Sequence, residues 1–565
     1  MMKGKSIVQI GVLIFIWTIL LVGCSKDSEM NVTTITETIF PKDKVIDVSI
    51  TIDEKDYQDM LDNPLEEEYK AASVRYNNEE LTNVGIRTKG NSSLTSVANS
   101  ESDRYSLKIS FDEYISSQNL FGLTTINLNN NFSDPSFMRE YLTYELMEEM
   151  GLPTPEYSFV NVYINDNLAG LYLAVEQINE SFLNRNFETS YGALYKPDGE
   201  GSDLLWQGDD INEYTGLNQK SKSSSNDNIL EMINELNNGS DYEKYLNVDS
   251  VLRYLAVNTA TANLDSYQGN FHHNYYLYEE DGVFSMIPWD LNMSFGGFGG
   301  SKEDLIAMLI DEPTIGSVSN YPLVKKLLEN ETYKEKYHDY IKQIVEGYLS
   351  PERFESRVDE IAAMIDTSVE QDPTKFYTYE EFKQSLSDDV QRIPGLVSFV
   401  RDRVENLQQQ LDGTLPSYAN GEGVKGSFGG PAGMQNVRKE EQPNLENGEK
   451  PDFGDGEQPS FENRERPDFE DGEQSNFENK ERPDFGDEEQ SNFESKERPN
   501  FEDGELPNPG EGGRPDFNGK GPGNRNEMDA QAVENSAKEA VITGIMLTLL
   551  IGAIIFVNTY KKRSI

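Results

Sequence analysis

Two aspartates carry the clearest chemical pattern in the sequence. Asn263-Leu264-Asp265-Ser266-Tyr267-Gln268-Gly269-Asn270 sets an aspartate five positions before an asparagine, and Pro288-Trp289-Asp290-Leu291-Asn292 follows after a hairpin pattern. Phosphoryl transfer needs a carboxylate near the attacking hydroxyl, oxygens that hold a metal, and donors around the phosphates. The order Asp265, Asn270, hairpin, Asp290 offers candidates for that need, with the second aspartate in the place of a metal-binding carboxylate. The plainer reading is a turn cap for Asp265 and Asn270 and a helix N-cap for Asp290.

Donors lie upstream. Arg87-Thr88-Lys89-Gly90-Asn91-Ser92-Ser93 can curl over phosphates, with Gly90, Asn91, Ser92 and Ser93 offering backbone N–H groups and hydroxyls. Lys108, in Tyr105-Ser106-Leu107-Lys108-Ile109-Ser110-Phe111, is a lone cation in a strand pattern and can pair with phosphate. An ordinary turn and a solvated strand lysine are the competing readings. The Gly-x-Gly-x-x-Gly, His-Arg-Asp and Asp-Phe-Gly phrases of ordinary protein kinases are missing from these positions.

The elements that must position these residues come in two styles. Strand alternation marks Val45 to Ile52, Ala72 to Tyr76, Val84 to Arg87, Ser158 to Ile164 and Gly170 to Val175, with an Asn165-Asp166-Asn167 turn joining the last two. Helical periodicity marks Phe137 to Met150, ended by Gly151 and Pro153. From Ile229 onward it predicts helices over Ile229–Leu236, Val251–Ala262, Asp304–Ile310, Pro322–Leu328, Tyr333–Tyr348, Pro351–Ile365 and Ile393–Leu411. A hairpin, Tyr275 to Tyr278 and Val283 to Ile287 around Asp281-Gly282, interrupts them.

Composition divides the 565-residue chain into folded and unfolded parts. With 100 Asp and Glu against 49 Lys and Arg, a net charge of -51 argues against a nucleic-acid partner. The start, Lys3, Lys5, an apolar run and Leu21-Val22-Gly23-Cys24-Ser25, has the form of a lipoprotein signal, with Cys24 as the lipid acceptor. Near the end, the apolar run Val541 to Val557 precedes Lys561, Lys562 and Arg563 and reads as one transmembrane helix with its basic end inside. Between them, Pro-Asp-Phe or Pro-Asn-Phe returns every sixteen residues at Pro451, Pro467, Pro483, Pro499 and Pro515, among too many charges to build a core. This acidic tail is expected to be a disordered spacer, able to bind cations or basic proteins or to present its serines as substrates.

Other chemistries lack residues. His272 and His273 are adjacent and diverge, His338 stands alone, and Cys24 is the one cysteine, so no zinc cluster can be assembled. Gly-x-Ser-x-Gly does not occur.

Taken together, Gly85-Ile86-Arg87-Thr88-Lys89-Gly90-Asn91-Ser92-Ser93, Gly170-Leu171-Tyr172-Leu173-Ala174-Val175-Glu176, Leu194-Tyr195-Lys196, Leu264-Asp265-Ser266 with Asn270, and Ile287-Pro288-Trp289-Asp290 resemble the spore-coat CotH family over about Val45 to Leu411. The resemblance implies an α+β, divergent protein-kinase-like fold of two lobes, the first β-rich and the second mainly helical. It also implies ATP, magnesium or manganese, and phosphorylation of Ser or Thr on secreted, surface or spore-coat proteins. Asp265 matches the catalytic-loop Asp, Asn270 the loop Asn, and Asp290 the principal metal Asp, while Lys108 would hold the α/β-phosphates and Glu176 lie near the adenine. The helix partner of Lys108 stays open among Glu140, Glu145, Glu148 and Glu149, and Arg139 matches the family's helix Arg.

The expected organisation is a signal peptide over 1–23, a tether over 24–44, the kinase-like domain over 45–415, the acidic repeats over 416–538, the membrane helix over 539–560 and a basic cytoplasmic end over 561–565, with the bulk on the outer face of a bacterial membrane. Two alternatives to a Ser/Thr kinase remain: a kinase-fold transferase moving AMP or glutamate, and an inactive surface scaffold.

Overall fold

The structure, a computed structural model, describes residues 35–221 and 227–425. The Cys24 signal, the sixteen-residue repeats and the Val541 to Val557 run lie outside the described residues. Among the described residues, no helix is long and apolar enough to cross a membrane.

Seven strands form a closed barrel in the order β1-β2-β3-β4-β5-β7-β6. They are β1 (Ile46–Ile52), β2 (Lys70–Tyr76), β3 (Glu79–Lys89), β4 (Ser106–Ser110), β5 (Thr125–Asn129), β6 (Tyr157–Ile164) and β7 (Asn167–Glu176). Antiparallel neighbours build it, and the parallel pairing of β1 with β6 closes it, leaving no free edge. The period-two pattern sends Ile46, Val48, Ile50 and Ile52 of β1 inward. Ile35, Ile39 and Phe40, ahead of β1, join the same core.

β7 explains its unbroken run of apolar residues. Tyr172 and Ala174 fill the barrel, whereas Leu171, Leu173 and Val175 belong to the core of the helical half, so both faces of the strand are buried. Asn165 and Asp166 both take positive φ, 48° and 64°, which makes the two-residue turn between β6 and β7 the twist-matched kind. The Arg139–Glu149 helix packs beneath this hairpin, with Tyr141 stacked on Phe159 and edge-on to Tyr157.

The second half is mainly helical. Its helices fall where periodicity places them, although Lys302–Ile306 is shorter than expected and Pro351–Gln371 longer. Short helices at Glu54–Asp62, Ser92–Ala98, Glu180–Asn186 and Tyr379–Ser385 have no clear periodicity in the sequence. The hairpin β10 (Tyr275–Glu280) and β11 (Val283–Pro288) does not stand alone: with β8 (Leu194–Pro197) and β9 (Leu217–Gln219) it forms a four-stranded sheet. Asp281 and Gly282 make its tight turn, again with both φ positive.

Two long-range ties matter for the site. Arg104 and Asp372, both fully buried, join the barrel to the end of the Pro351–Gln371 helix; Arg104 Nη1 donates to the carboxylate at 2.9 and 3.1 Å, and Leu171 N donates to it at 2.8 Å. The pair lies against Gly170, where a Cβ would collide with both partners. The second tie is a strap beyond the last helix, Leu396–Leu411. Val424 pairs with Ile315 as an isolated bridge, Ala419 and Gly423 donate their N–H groups to buried Glu312, and Ile315 N in turn donates to Gln268 O at 3.1 Å. The strap thus reaches the Asp265 loop through one intervening segment, and it occupies residues whose composition already resembles the tail.

Candidate active site

The barrel's outer face supplies one wall of a cavity of about 730 Å³. Register puts Arg87 opposite Lys108 and Lys108 opposite Asn127, so alternation along β3, β4 and β5 sends Arg87, Lys89, Ser106, Lys108, Asn127 and Asn129 to one side while Ile86, Leu107, Ile109, Ile126 and Leu128 fill the barrel. All six polar residues line the cavity. Gly90 follows at the end of β3 with φ 134°, and its missing side chain leaves room for Ser93 and Leu94 as the Ser92–Ala98 helix begins. Gly90, Asn91, Ser92 and Ser93 therefore reach the cavity, the two serines from a first helical turn rather than from an open loop.

Lys89 is the cation that meets the acids. Its Nζ donates to Asn129 Oδ1 at 2.8 Å, and Asn129 Nδ2 donates to both oxygens of Glu140 at 3.1 and 2.9 Å. Glu140 lies one residue into the Arg139–Glu149 helix, and Tyr144, one turn further on the same face, accepts the backbone N–H of Asp290 at 3.2 Å. Burial, reinforced by the charge of Asp290, pushes the Glu140 carboxyl up to about 8. Burial lowers Lys89, against the pull of Asp290 and Glu140. Asp290 itself takes φ 54°, the left-handed region that a residue with a side chain keeps only where its surroundings fix it.

Lys108 lies elsewhere in the cavity. Its Nζ donates to Gln177 Oε1 at 3.1 Å, just past the end of β7. Burial first, then repulsion from Lys89, Arg87 and Lys196, brings it down to about 7. Lys196, on β8, and Lys89 both approach the ring of Trp289, at 5.8 and 5.9 Å from its centroid.

Asp265 lines the same cavity. Its backbone N–H meets Asn263 Oδ1 at 3.3 Å, Asn274 Nδ2 donates to its backbone oxygen at 2.8 Å, and its Oδ1 lies 2.7 Å from His273 Nε2. Burial raises the Asp265 carboxyl, with the hydrogen bond to His273 opposing.

The structure brings Gly90, Asn91, Ser92, Ser93, Lys108, Asp265 and Asp290 to one cavity. Asn270 and Glu176 are not among its lining residues. Asn270 is exposed, and Asn274 and Asn292 occupy the cavity instead. Glu176 is buried against Arg185, whose Nη1 donates to Oε1 at 2.6 Å, and it accepts the backbone N–H of Glu156. Of the four helix glutamates, Glu140 faces the cavity; Glu145 pairs with Arg357, Glu148 with Lys42 and Glu149 with Arg353. Arg139 is a tether: its guanidinium donates to Ser294 O, Phe295 O and Pro394 O and so fixes the chain just after Asp290. Sequence reasoning missed Lys89, Asn274 and Asn292. Lys89 ends β3, the strand beside that of Lys108, within the Arg87 to Ser93 phrase already marked as a phosphate turn, and Asn274 stands directly before β10.

Among the described residues no three His, Cys, Asp or Glu side chains gather into a metal cage. Magnesium fits without one, because it takes one or two carboxylates and completes its shell with water and substrate phosphates. Asp290, with Asn274 and Asn292 lining the same cavity, offers residues of that kind.

Cations on a barrel face lie across one cavity from Asp265 and Asp290, in an α+β protein built of a closed barrel and a mainly helical half. Residues 86–407 match the family model described as CotH kinase protein, and the chain belongs to that family. It is similar to the inner spore coat protein H of Bacillus subtilis, 26% identical over 307 residues covering 51% of this chain and 79% of that protein. It is also similar to the invasin CotH2 of Rhizopus delemar, at 23% identity over 55% of this chain and 60% of the relative. Two solved structures align more distantly. The HipA–HipB–operator DNA complex of Shewanella oneidensis MR-1 has a TM-score of 0.24 and 12% identity, over 51% of this chain and 57% of the other. The Helicobacter pylori proinflammatory kinase CtkA has a TM-score of 0.25 and 10% identity, over 61% and 92%. At those scores they add nothing to the family assignment.

Proposed function

We propose that the protein is an ATP-dependent phosphotransferase acting on Ser or Thr hydroxyls of secreted, surface or spore-coat proteins. The observation that carries this reading is the joint placement of Asp265, Asp290 and Lys89 in one cavity, with Lys89 tied through Asn129 to a helix glutamate. Asp290, Asn274 and Asn292 hold magnesium, which supplies counter-charge to the phosphate oxygens when bound. Lys89 and the Gly90–Ser93 turn bind the phosphates of ATP from the barrel side. Asp265 orients the acceptor hydroxyl and takes its proton, a contribution of about 10²–10⁴-fold for a positioned general base. Gln177 and Ile178, at the crossing from β7 into the second half, line the cavity and would meet the base of the nucleotide.

The Cys24 signal and the Val541 to Val557 run with its basic flank support a membrane-anchored protein whose catalytic part works on the outer face. The acidic tail would act as spacer or as a surface for basic proteins and cations. The test is mass spectrometry of acceptor proteins incubated with the full chain, ATP and magnesium. A phosphate adduct on Ser or Thr is expected. An AMP or glutamyl adduct would move the reading to another transfer, and a chain that binds no nucleotide would make it a scaffold.

A further inference from the structure

His273 has a placement that nucleotide binding does not require. It lies in a loop, Phe271 to Asn274, that folds back over Asp265, and the residues on either side of it, His272 and Asn274, both take positive φ, 47° and 59°. Backbone of that kind persists where neighbours over-determine it. Here the two adjacent histidines part company. His272 turns into the protein, its ring 4.7 Å from that of Tyr321 and 6.0 Å from that of Tyr267. His273 turns into the cavity and brings Nε2 to 2.7 Å from Asp265 Oδ1. The Phe271 ring, 5.3 Å away, packs against it from the loop.

The main chain of Asp265 is already held by Asn263 and Asn274. The bond from His273 goes to the carboxylate, which the Asn274 side chain also stabilises, so it bears on the rotation of that group rather than on the path of the chain. A carboxylate accepts, so Nε2 carries the hydrogen.

We propose that His273 is a positioning residue for Asp265: by holding Oδ1 it presents Oδ2 to the acceptor hydroxyl and keeps the carboxylate from swinging toward Asp290 and the metal. The proposal rests on the phosphotransferase reading. In the transfer the acceptor oxygen forms its bond to the γ-phosphorus and the bond from that phosphorus to the β,γ-bridging oxygen breaks. ADP leaves with that electron pair, and the acceptor's proton goes to Asp265 Oδ2. His273 neither gains nor loses a bond to substrate. Its effect appears in turnover and not in nucleotide affinity.

The full chain carrying His273→Leu or His273→Gln is compared with the parent. Turnover is followed with ATP, magnesium and a pool of Ser- and Thr-containing peptides, and affinity by calorimetry with a non-hydrolysable ATP analogue. The leucine variant is expected to lose roughly 10–100-fold in kcat, the range for a lost outer hydrogen bond on a working group, with analogue affinity within about twofold. Glutamine, which keeps an N–H donor, recovers most of the loss. Asp265→Asn combined with His273→Leu should turn over no more slowly than Asp265→Asn alone, because His273 acts through Asp265. If the leucine variant does not fold, the same cycle is run with His273→Gln, whose smaller loss must likewise vanish in the Asp265→Asn background. Parental kcat in His273→Leu, a parallel loss of analogue affinity, or additive losses in the double variant would overturn the assignment. A parent that binds nucleotide yet transfers no phosphoryl group defeats the phosphotransferase reading itself, and this proposal with it.

Discussion

Asp372→Ala tests whether the barrel is locked to the helical half by charge. The carboxylate accepts two contacts from Arg104 Nη1, at 2.9 and 3.1 Å, one from Leu171 N at 2.8 Å and one from Thr374 N at 2.9 Å, and neither ionic side chain has any exposure. Removing it leaves the fully buried Arg104 guanidinium without its counter-charge, a situation that costs about 3–5 kcal/mol. Against a total stability of about 5–15 kcal/mol this is a large fraction. With a urea slope of about 3 kcal/mol/M, a 4 kcal/mol loss moves the unfolding midpoint down by about 1.3 M. The companion variant Arg104→Met with Asp372→Leu removes the stranded charge and should regain part of that shift, the remainder reflecting the Leu171 and Thr374 N–H groups that lose their acceptor. Equilibrium urea unfolding followed by far-ultraviolet circular dichroism reads both. A midpoint shift below about 0.3 M in Asp372→Ala, or a double variant no better than the single, would refute the argument.

Other consequences concern the cavity. Lys89→Met should weaken magnesium-nucleotide binding at least tenfold more than Lys108→Met does, about 1.4 kcal/mol, because Lys89 faces Glu140 and Asp290 while Lys108 bonds Gln177; calorimetry on the two variants ranks them. Burial pushes the Glu140 carboxyl up to about 8, which favours its protonated form near neutral pH, and the positive charge of a metal at Asp290 would favour the ionised form instead. Apparent magnesium affinity should therefore rise about tenfold between pH 7 and pH 9, and Glu140→Gln should flatten that rise in a titration followed by tryptophan fluorescence. Truncation after Lys425 should leave the melting temperature within about 2 °C of the parent, whereas truncation after Leu411 removes the strap that braces the Ile315–Gln268 contact and should lower both melting temperature and turnover.

Much of the frame is legible in local pattern. The alternation of β1, the two-residue turn at Asn165-Asp166 and the periodicity of Glu331–Glu346 each depend on neighbours a few residues apart, and the sequence displays them directly. The site is less legible because it depends on contacts across the chain. Lys89 and Lys108 share one face of the barrel, and only the position of the Arg139–Glu149 helix decides which of them meets the acids. Asn270 has the spacing of an ordinary catalytic loop, yet Gln268 and Gly269 are gripped by Ile315 and Tyr321, and the chain folds back so that Asn274 enters the cavity. Glu176 ends a strand whose alternation turns it toward Arg185, a partner nine residues on in a helix without a clear periodic signature. The strap has a tail-like composition, and its pairing with residues about a hundred positions earlier is not visible in any local window.

The central claim, that Asp265 and Asp290 divide the work of phosphoryl transfer, is tested most directly by measuring nucleotide affinity and turnover together in Asp265→Asn and Asp290→Ala. Asp290→Ala should lose magnesium-dependent nucleotide binding as well as transfer, since the phosphate charge loses its organised counter-ion. Asp265→Asn should keep nucleotide affinity within a few-fold of the parent while losing most of its turnover, because its interaction is made chiefly in the transition state. Parental magnesium-nucleotide affinity in Asp290→Ala, or parental turnover in Asp265→Asn, would contradict the account.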